Sequence, residues 1–376
     1  MKKLLLGTTA LATAALLSAG AANAADDGLK FTVSGFYTGV LLAGDDNVAA
    51  NRGISLDTWN SEIHLGAEAT AANGLTYGFK VELEGYSTGD QIDESYLWLS
   101  GAFGKLIVGN DDSVAEKMGY VSPAPDAYGI LSVNSPNYGF NGATATTINA
   151  IGGDASKLIY ISPSFGGFQL GLSYSPDSCE DNVGARACSI GGFESDANST
   201  TTAGPDGILG TADDVSTLAF GQQFAAALSF AREFGKVSVG LSATYTWNEA
   251  ESGSAINYED VTTWGVGGNL GFGVGAGTVT VGGSYLAMND YTGIKGDDYS
   301  AYDAGVAYAQ GPFTVGVQSI WADYDIANGE IWGLSVGGGY EVAPGLGVSA
   351  GYIHYDKESA VGTDADVFLL GTKLSF

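Results

Sequence analysis

The chain has 376 residues, with 14 Lys and Arg against 42 Asp and Glu, and a formal charge of −28. So acidic a chain repels DNA, RNA and anionic headgroups, which argues against a nucleic-acid partner; at 45% hydrophobic and 11% aromatic it is nonetheless too apolar for a disordered segment. Its 58 glycines show no collagen-like period and suit strands that pass close to one another or fit a tapering interior.

Residues 1–24 read as a secretory signal peptide. Met1, Lys2 and Lys3 make a basic start, Leu4 to Leu17 is mostly apolar, and Ala22-Asn23-Ala24 has the small-x-small form of a cleavage site. The mature chain then starts at Ala25, and loss of the two lysines takes the charge from −28 to about −30. No later stretch approaches the roughly 18 apolar residues of a transmembrane helix, so any membrane crossing is made by strands.

From Leu29 the pattern alternates. Leu29, Phe31, Val33 and Tyr37 share one face, while Lys30, Thr32, Ser34 and Thr38 share the other. Trp59, Ile63, Leu65 and Ala67 likewise oppose Asn60, Glu62, His64 and Glu68, and Leu75, Tyr77, Phe79, Val81 and Leu83 oppose Thr76, Lys80, Glu82 and Glu84. The same period runs from Lys236 to Trp247. Short turns recur at Ala71–Gly74, Ala102–Gly104, Ser164–Gly167, Glu233–Gly235, Gly273–Ala276, Gln310–Pro312 and Ala343–Gly345. Between them lie connections near 42–57, 87–90, 111–156, 176–220, 248–258, 289–297, 325–329 and 357–363. Seven short turns interleaved with eight outer connections make sixteen strands, an even number with all short turns at one end. Strands of about 10 to 12 residues are long enough to cross a bilayer when tilted. The predicted fold is therefore all-β, a sixteen-stranded antiparallel transmembrane β-barrel, apolar toward lipid and polar toward a lumen. Tyr37, Trp59, Tyr77, Tyr86, Tyr245, Trp247, Tyr285, Trp321, Tyr340 and Tyr352 are placed to supply its interfacial girdles.

The segment 111–156 breaks the pattern. It has little periodicity, yet Tyr120, Tyr128, Ile130, Leu131, Tyr138 and Phe140 are too much apolar side chain for a solvated tail. It is expected to fold into the mouth of the barrel and narrow it.

Tyr96-Leu-Trp-Leu-Ser-Gly-Ala-Phe-Gly-Lys-Leu-Ile-Val-Gly109 resembles the strand–turn–strand before the constriction loop of Gram-negative general diffusion porins, most closely those of α-proteobacteria. Phe368-Leu-Leu-Gly-Thr-Lys-Leu-Ser-Phe376 resembles an outer-membrane insertion signal ending in Phe. The resemblance implies an outer-membrane homotrimer among lipid and lipopolysaccharide, with 111–156 as an inward-folded third outer loop. It also implies that acidic loop residues, Asp111, Asp112, Glu116 and Asp126, face bases of the wall, Lys80 and Arg52, with Lys30 and Lys373 nearby. The chain departs from the pattern in having three arginines in all and no arginine ladder. With Glu62, His64, Glu82 and Glu84 also expected on the lumenal face, the reading is a cation-selective path for small hydrophilic solutes and ions. A substrate-selective porin with Tyr120, Tyr128 and Tyr138 as a stacking path is one alternative; a structural or recognition barrel plugged by 111–156 is another.

Cys179 and Cys188, nine positions apart in an exported chain, are expected to close a disulfide within the long outer loop 176–220. Asp206, Asp213 and Asp214 around Gly207 and Gly210 offer hard oxygen ligands for a structural Ca2+, though without EF-hand spacing; the alternative is a solvated acidic turn. No Ser–His–Asp grouping or P-loop stands out, so no enzyme activity is expected and no cofactor is required.

Overall fold

A computed structural model describes residues 28–45, 53–86, 91–134, 145–176, 201–202, 215–216, 220–250, 258–325, 329–357 and 364–376. The signal peptide, Arg52, Tyr138, the Cys179 and Cys188 pair, and Asp206, Asp213 and Asp214 lie outside these residues. The strands are β1 (Lys30–Asp45), β2 (Gly53–Thr70), β3 (Thr76–Glu84), β4 (Ile92–Gly101), β5 (Gly104–Asn110), β6 (Ser156–Ile161) and β7 (Phe168–Ser175). Thr201–Thr202 (β8) and Val215–Ser216 (β9) pair with each other outside the main sheet. Then follow β10 (Phe220–Phe234), β11 (Val237–Ala250), β12 (Val261–Val274), β13 (Gly277–Asn289) and β14 (Tyr299–Gln310). The last four are β15 (Phe313–Tyr324), β16 (Gly329–Ala343), β17 (Leu346–Lys357) and β18 (Ala365–Ser375).

Sixteen of these strands form one closed antiparallel barrel in which each pairs with its neighbours in the chain and β1 pairs with β18. The seam is completed by reciprocal bonds of 3.1 Å between the backbones of Gly35 and Phe376. Closure leaves no open sheet edge, which a backbone in hydrocarbon requires. Alternation puts Phe31, Val33, Leu65, Phe79, Leu97, Val108, Leu158, Leu170 and Phe368 outward and exposed. On the same outer surface Tyr302 stacks on Trp321 with centroids 5.0 Å apart.

Two features depart from uniform alternation. Trp59 belongs to the inner face: pairing passes from Thr38–Asn60 to Gly39–Thr58, so Trp59 is the extra residue of a β-bulge. Beyond it the face assignment of β2 reverses, and Ile54 and Leu56 become the outward, exposed pair. The lumenal wall is also not uniformly polar. Val40, Trp59, Leu286, Ile320, Ile331, Ile353, Tyr355 and Leu369 are buried on the inside, in one cluster with Ile130, Leu131 and Val133 of the 111–156 loop. Those positions are apolar because their contact is protein and not water.

The loop opens with a single short helix, α1 (Val114–Met118), whose Val114 and Ala115 pack on Ile107, Ile159, Ala225 and Ala227. It then follows the inner wall strand by strand. Tyr120 donates its N–H to Ser242 on β11 (2.8 Å), Asn269 on β12 donates to the Val121 carbonyl (3.0 Å), and Ser122 N–H reaches Asp303 on β14 (3.1 Å). Gln318 on β15 donates to the Ser122 carbonyl and accepts from Val133 N–H, and Tyr355 on β17 donates to the Val133 carbonyl. Glycines make room along this track. A Cβ at Gly240 would strike the Tyr120 ring at 2.6 Å, and one at Gly337 or Gly351 would strike Leu131. The returning arm is held by Asp303, which accepts from Asn134 (2.6 Å) and Thr147 (2.8 Å).

Candidate functional site

A cluster of charged groups lies on the inner side of β2 to β6 and at the root of the loop. Glu62 and His64 point inward from β2, and His64 and Glu82 are direct partners in the β2–β3 register. The β3–β4 register shifts between Val81 and Leu83, which pair with Ser95 and Ile92, so Glu82 faces the two residues Asp93 and Glu94. Glu94, in step with Tyr96 and Trp98, lies on the inner wall and is almost fully buried, and the irregularity adds Asp93 beside it. Glu62, Glu84 and Asp93 bring carboxylate oxygens within 4.8 Å of one another.

The bases sit among these acids. Lys80 contacts Glu82 and lies 3.8 Å from Glu94. Lys117, on α1, contacts Asp111 and lies 3.6 Å from Glu94 and 4.0 Å from Asp112. Lys157 donates to the carbonyls of Asp111 and Gly153, the latter at 2.6 Å, and so clips the two ends of the loop together. Lys105 lies over the Trp98 ring, 5.2 Å from its centroid. The result is a chain of alternating acidic and basic residues, Glu62–His64–Glu82–Lys80–Glu94–Lys117–Asp111, joining wall to loop.

Acids outnumber bases here, and protons make up part of the difference. Burial, reinforced by Glu94 and opposed by Lys117, pushes Asp111 up to about 7. Burial and the hydrogen-bonded neighbour Asp112 push Glu116 up to about 8. For Lys117 burial works against the charge, but Asp111, Glu94 and Asp112 outweigh it and hold the ammonium protonated. Two carboxyls raised toward neutrality beside one cation form a site whose charge changes near neutral pH.

Of the residues expected at the constriction, Asp111, Asp112, Glu116 and Lys80 are thus found in one region. Their arrangement differs from the expectation: Asp111 joins Lys80 through Lys117 and Glu94 on the same side, where loop acids and wall bases were expected to face each other across the aperture. The cause is local, since only three residues separate β5 from α1, which lies against the wall at once. Asp126 is elsewhere. It is 4% exposed, accepts the N–H groups of Tyr128, Ile130 and Leu131 and the hydroxyl of Ser349, and so serves as an anchor of the loop and not as a pore-lining charge. Burial raises its pKa against the pull of those four donors. Lys373 lies 4.4 Å over the Phe36 ring. Sequence reasoning missed Asp93, Glu94, Lys105 and Lys157. A signal for the two lysines was present, because each opens one of the apolar runs flanking the loop.

A family model described as Gram-negative porin matches residues 7–366. The chain belongs to the Gram-negative porins. Solved structures agree in fold. The outer membrane channel DcaP of Acinetobacter baumannii superposes with a TM-score of 0.60 at 15% identity, covering 95% of this chain and 100% of that one. OmpT of Vibrio cholerae, an outer membrane protein in its trimer form, gives 0.59 at 15% identity over 93% and 100%. A variant of the Rh. blastica porin gives 0.53 at 16% identity over 92% and 100%. Among curated proteins no sequence match is found. This porin is accordingly an outer-membrane channel protein, and its charged wall and inward loop are the parts of that channel with chemistry to offer.

Proposed function

We propose that this porin forms a water-filled, cation-selective channel for passive diffusion of small hydrophilic solutes and ions, without enzymatic activity, and that it works as a homotrimer embedded in outer-membrane lipid and lipopolysaccharide. The observation that carries the reading is the excess of carboxylates around the loop root. Glu62, Glu82, Glu84, Asp93, Glu94, Asp111, Asp112 and Glu116 stand against Lys80, Lys105, Lys117 and Lys157. A lumen lined by acidic groups raises the local cation concentration and lowers that of anions. The described course of the loop, along the wall and bonded to successive strands, favours an eyelet over a plug. The stacking-path alternative loses support, because Tyr120 and Tyr128 lie against wall glycines such as Gly240 and Gly347.

The trimer is proposed on the fold likeness to a neighbour described in trimer form. The decisive experiment is the reversal potential of purified protein in a planar bilayer under a KCl gradient. A cation-selective potential supports the reading, an anion-selective one overturns the charge argument, and absence of conductance from folded barrels overturns the open channel. Light scattering in detergent tests the trimer separately.

A further inference from the structure

The pairing of β2 with β3 builds an arrangement that charge selection does not require. Glu62 and His64 are two residues apart on one strand and share its inner face, and Glu82 stands directly opposite His64. His64 Nε2 lies 2.7 Å from Glu62 Oε2 and 3.2 Å from Glu82 Oε2. One donor atom from each of the three lies within 4.8 Å of the other two. Ligands about 2.0–2.1 Å from a tetrahedral zinc ion stand roughly 3.3 Å from one another. The longer separation already has that value, and the shorter needs to open by about half an ångström.

The surroundings favour coordination. Two carboxylate oxygens converge on a single ring nitrogen, which as an N–H serves only one of them well but as a metal ligand stands beside both. Lys80 takes the second oxygen of Glu82, the outer contact that orients a ligating carboxylate. All three ligands rise from paired strands of a closed barrel, so their positions are fixed before any ion arrives. One imidazole with two carboxylates suits zinc and its neighbours in the first transition row more than Mg2+ or Ca2+.

We propose that Glu62, His64 and Glu82 form a binding site for a divalent transition-metal ion on the lumenal wall, and that its occupation reduces the current through the channel. The binding stands on the triad alone, and only the effect on current rests on the channel reading. A dication there offsets the carboxylates that draw cations in and occupies part of the path.

The test uses the full folded barrel in detergent, titrated calorimetrically with ZnCl2 and followed with Co2+ by its visible absorption. The wild type should bind one more zinc per chain than His64→Ala or the milder His64→Gln, or bind it about tenfold or more tightly. Excess Mg2+ should not displace it. Equal zinc binding by wild type and both variants, with all three folded by circular dichroism, overturns the site. In planar bilayers saturating Zn2+ should roughly halve the conductance of the wild type and leave that of His64→Gln unaltered. Zinc binding without any change in current overturns the blocking effect; zinc binding by a barrel that never conducts retains the site and overturns the channel reading.

Discussion

Ser349 on β17 donates a 2.6 Å hydrogen bond to Asp126, a residue 223 positions earlier in the chain and within the inner loop. The same carboxylate takes three backbone N–H groups of the turn that follows it, the shortest 2.9 Å from Leu131. Asp126→Ala leaves all four donors without their acceptor in a buried place. A loss of about 2–4 kcal/mol in loop docking is expected from one buried, charge-assisted cluster. Limited proteolysis of the folded barrel should then cut within 111–156, and single-channel records should become noisier while the barrel stays closed.

Tyr120 and Gly240 make the complementary case. The ring lies where a β-carbon would be, so Gly240→Val has to move Tyr120 off the wall and into the lumen. Conductance should fall, and Tyr120→Ala in the same background should restore it. A Gly240→Val barrel with unchanged conductance would show that the loop rides clear of β11.

Lys117 is the cation on which Asp111, Glu94 and Asp112 converge. Lys117→Met removes it and leaves buried carboxylates facing one another, at a cost of about 3–5 kcal/mol for a broken buried pair. Hydrogen exchange should speed up across the amides of 111–134, and the reversal potential should shift further toward cation selectivity. A shift toward anions would contradict the assignment of net charge at this site.

The proton content of the loop root changes near neutrality. Asp111, at about 7, and Glu116, at about 8, are held above the ordinary carboxyl range, so each gains its negative charge as pH rises through those values. Cation selectivity should therefore increase between about pH 6 and 9, and Glu116→Gln should remove the upper part of the rise. Linkage fixes the companion effect on stability. The folded state binds more protons than the unfolded state from about pH 4 to 8, so these two groups favour loop docking less as pH rises across that window. Reversal potentials and loop protection measured over one pH series check both signs.

Most of the barrel was legible because its signals are local. Short turns such as Glu233–Gly235 and Gln310–Pro312 fall at the junctions of successive strands, as the alternation of turn lengths implies. The faces of β1 and β3 follow their period of two, since a lipid boundary leaves little freedom to compromise it. What escaped was non-local. Trp59 resembles any outward aromatic until the bulge turns it inward, and a bulge is a property of two strands in register and not of one sequence. Asp93 was hidden by the matching irregularity opposite Glu82, which turns it inward beside Glu94. Asp126 looked like its acidic neighbours because its distinguishing partner, Ser349, is a small polar residue on a distant strand. The track of wall glycines was visible as composition, but what each one accommodates became evident only with the loop in place.

The course of the inner loop has a temporal side. Its far end rests on strands that are synthesised long after it: Leu131 packs at Gly337 and Gly351, Ile130 at Gly371, and Asp126 at Ser349. The final seat for Ile130 belongs to β18, the strand that also closes the ring against β1. A partly assembled barrel therefore has the eyelet's sequence but not its seat, and the width of the passage is settled in the same act that seals the wall.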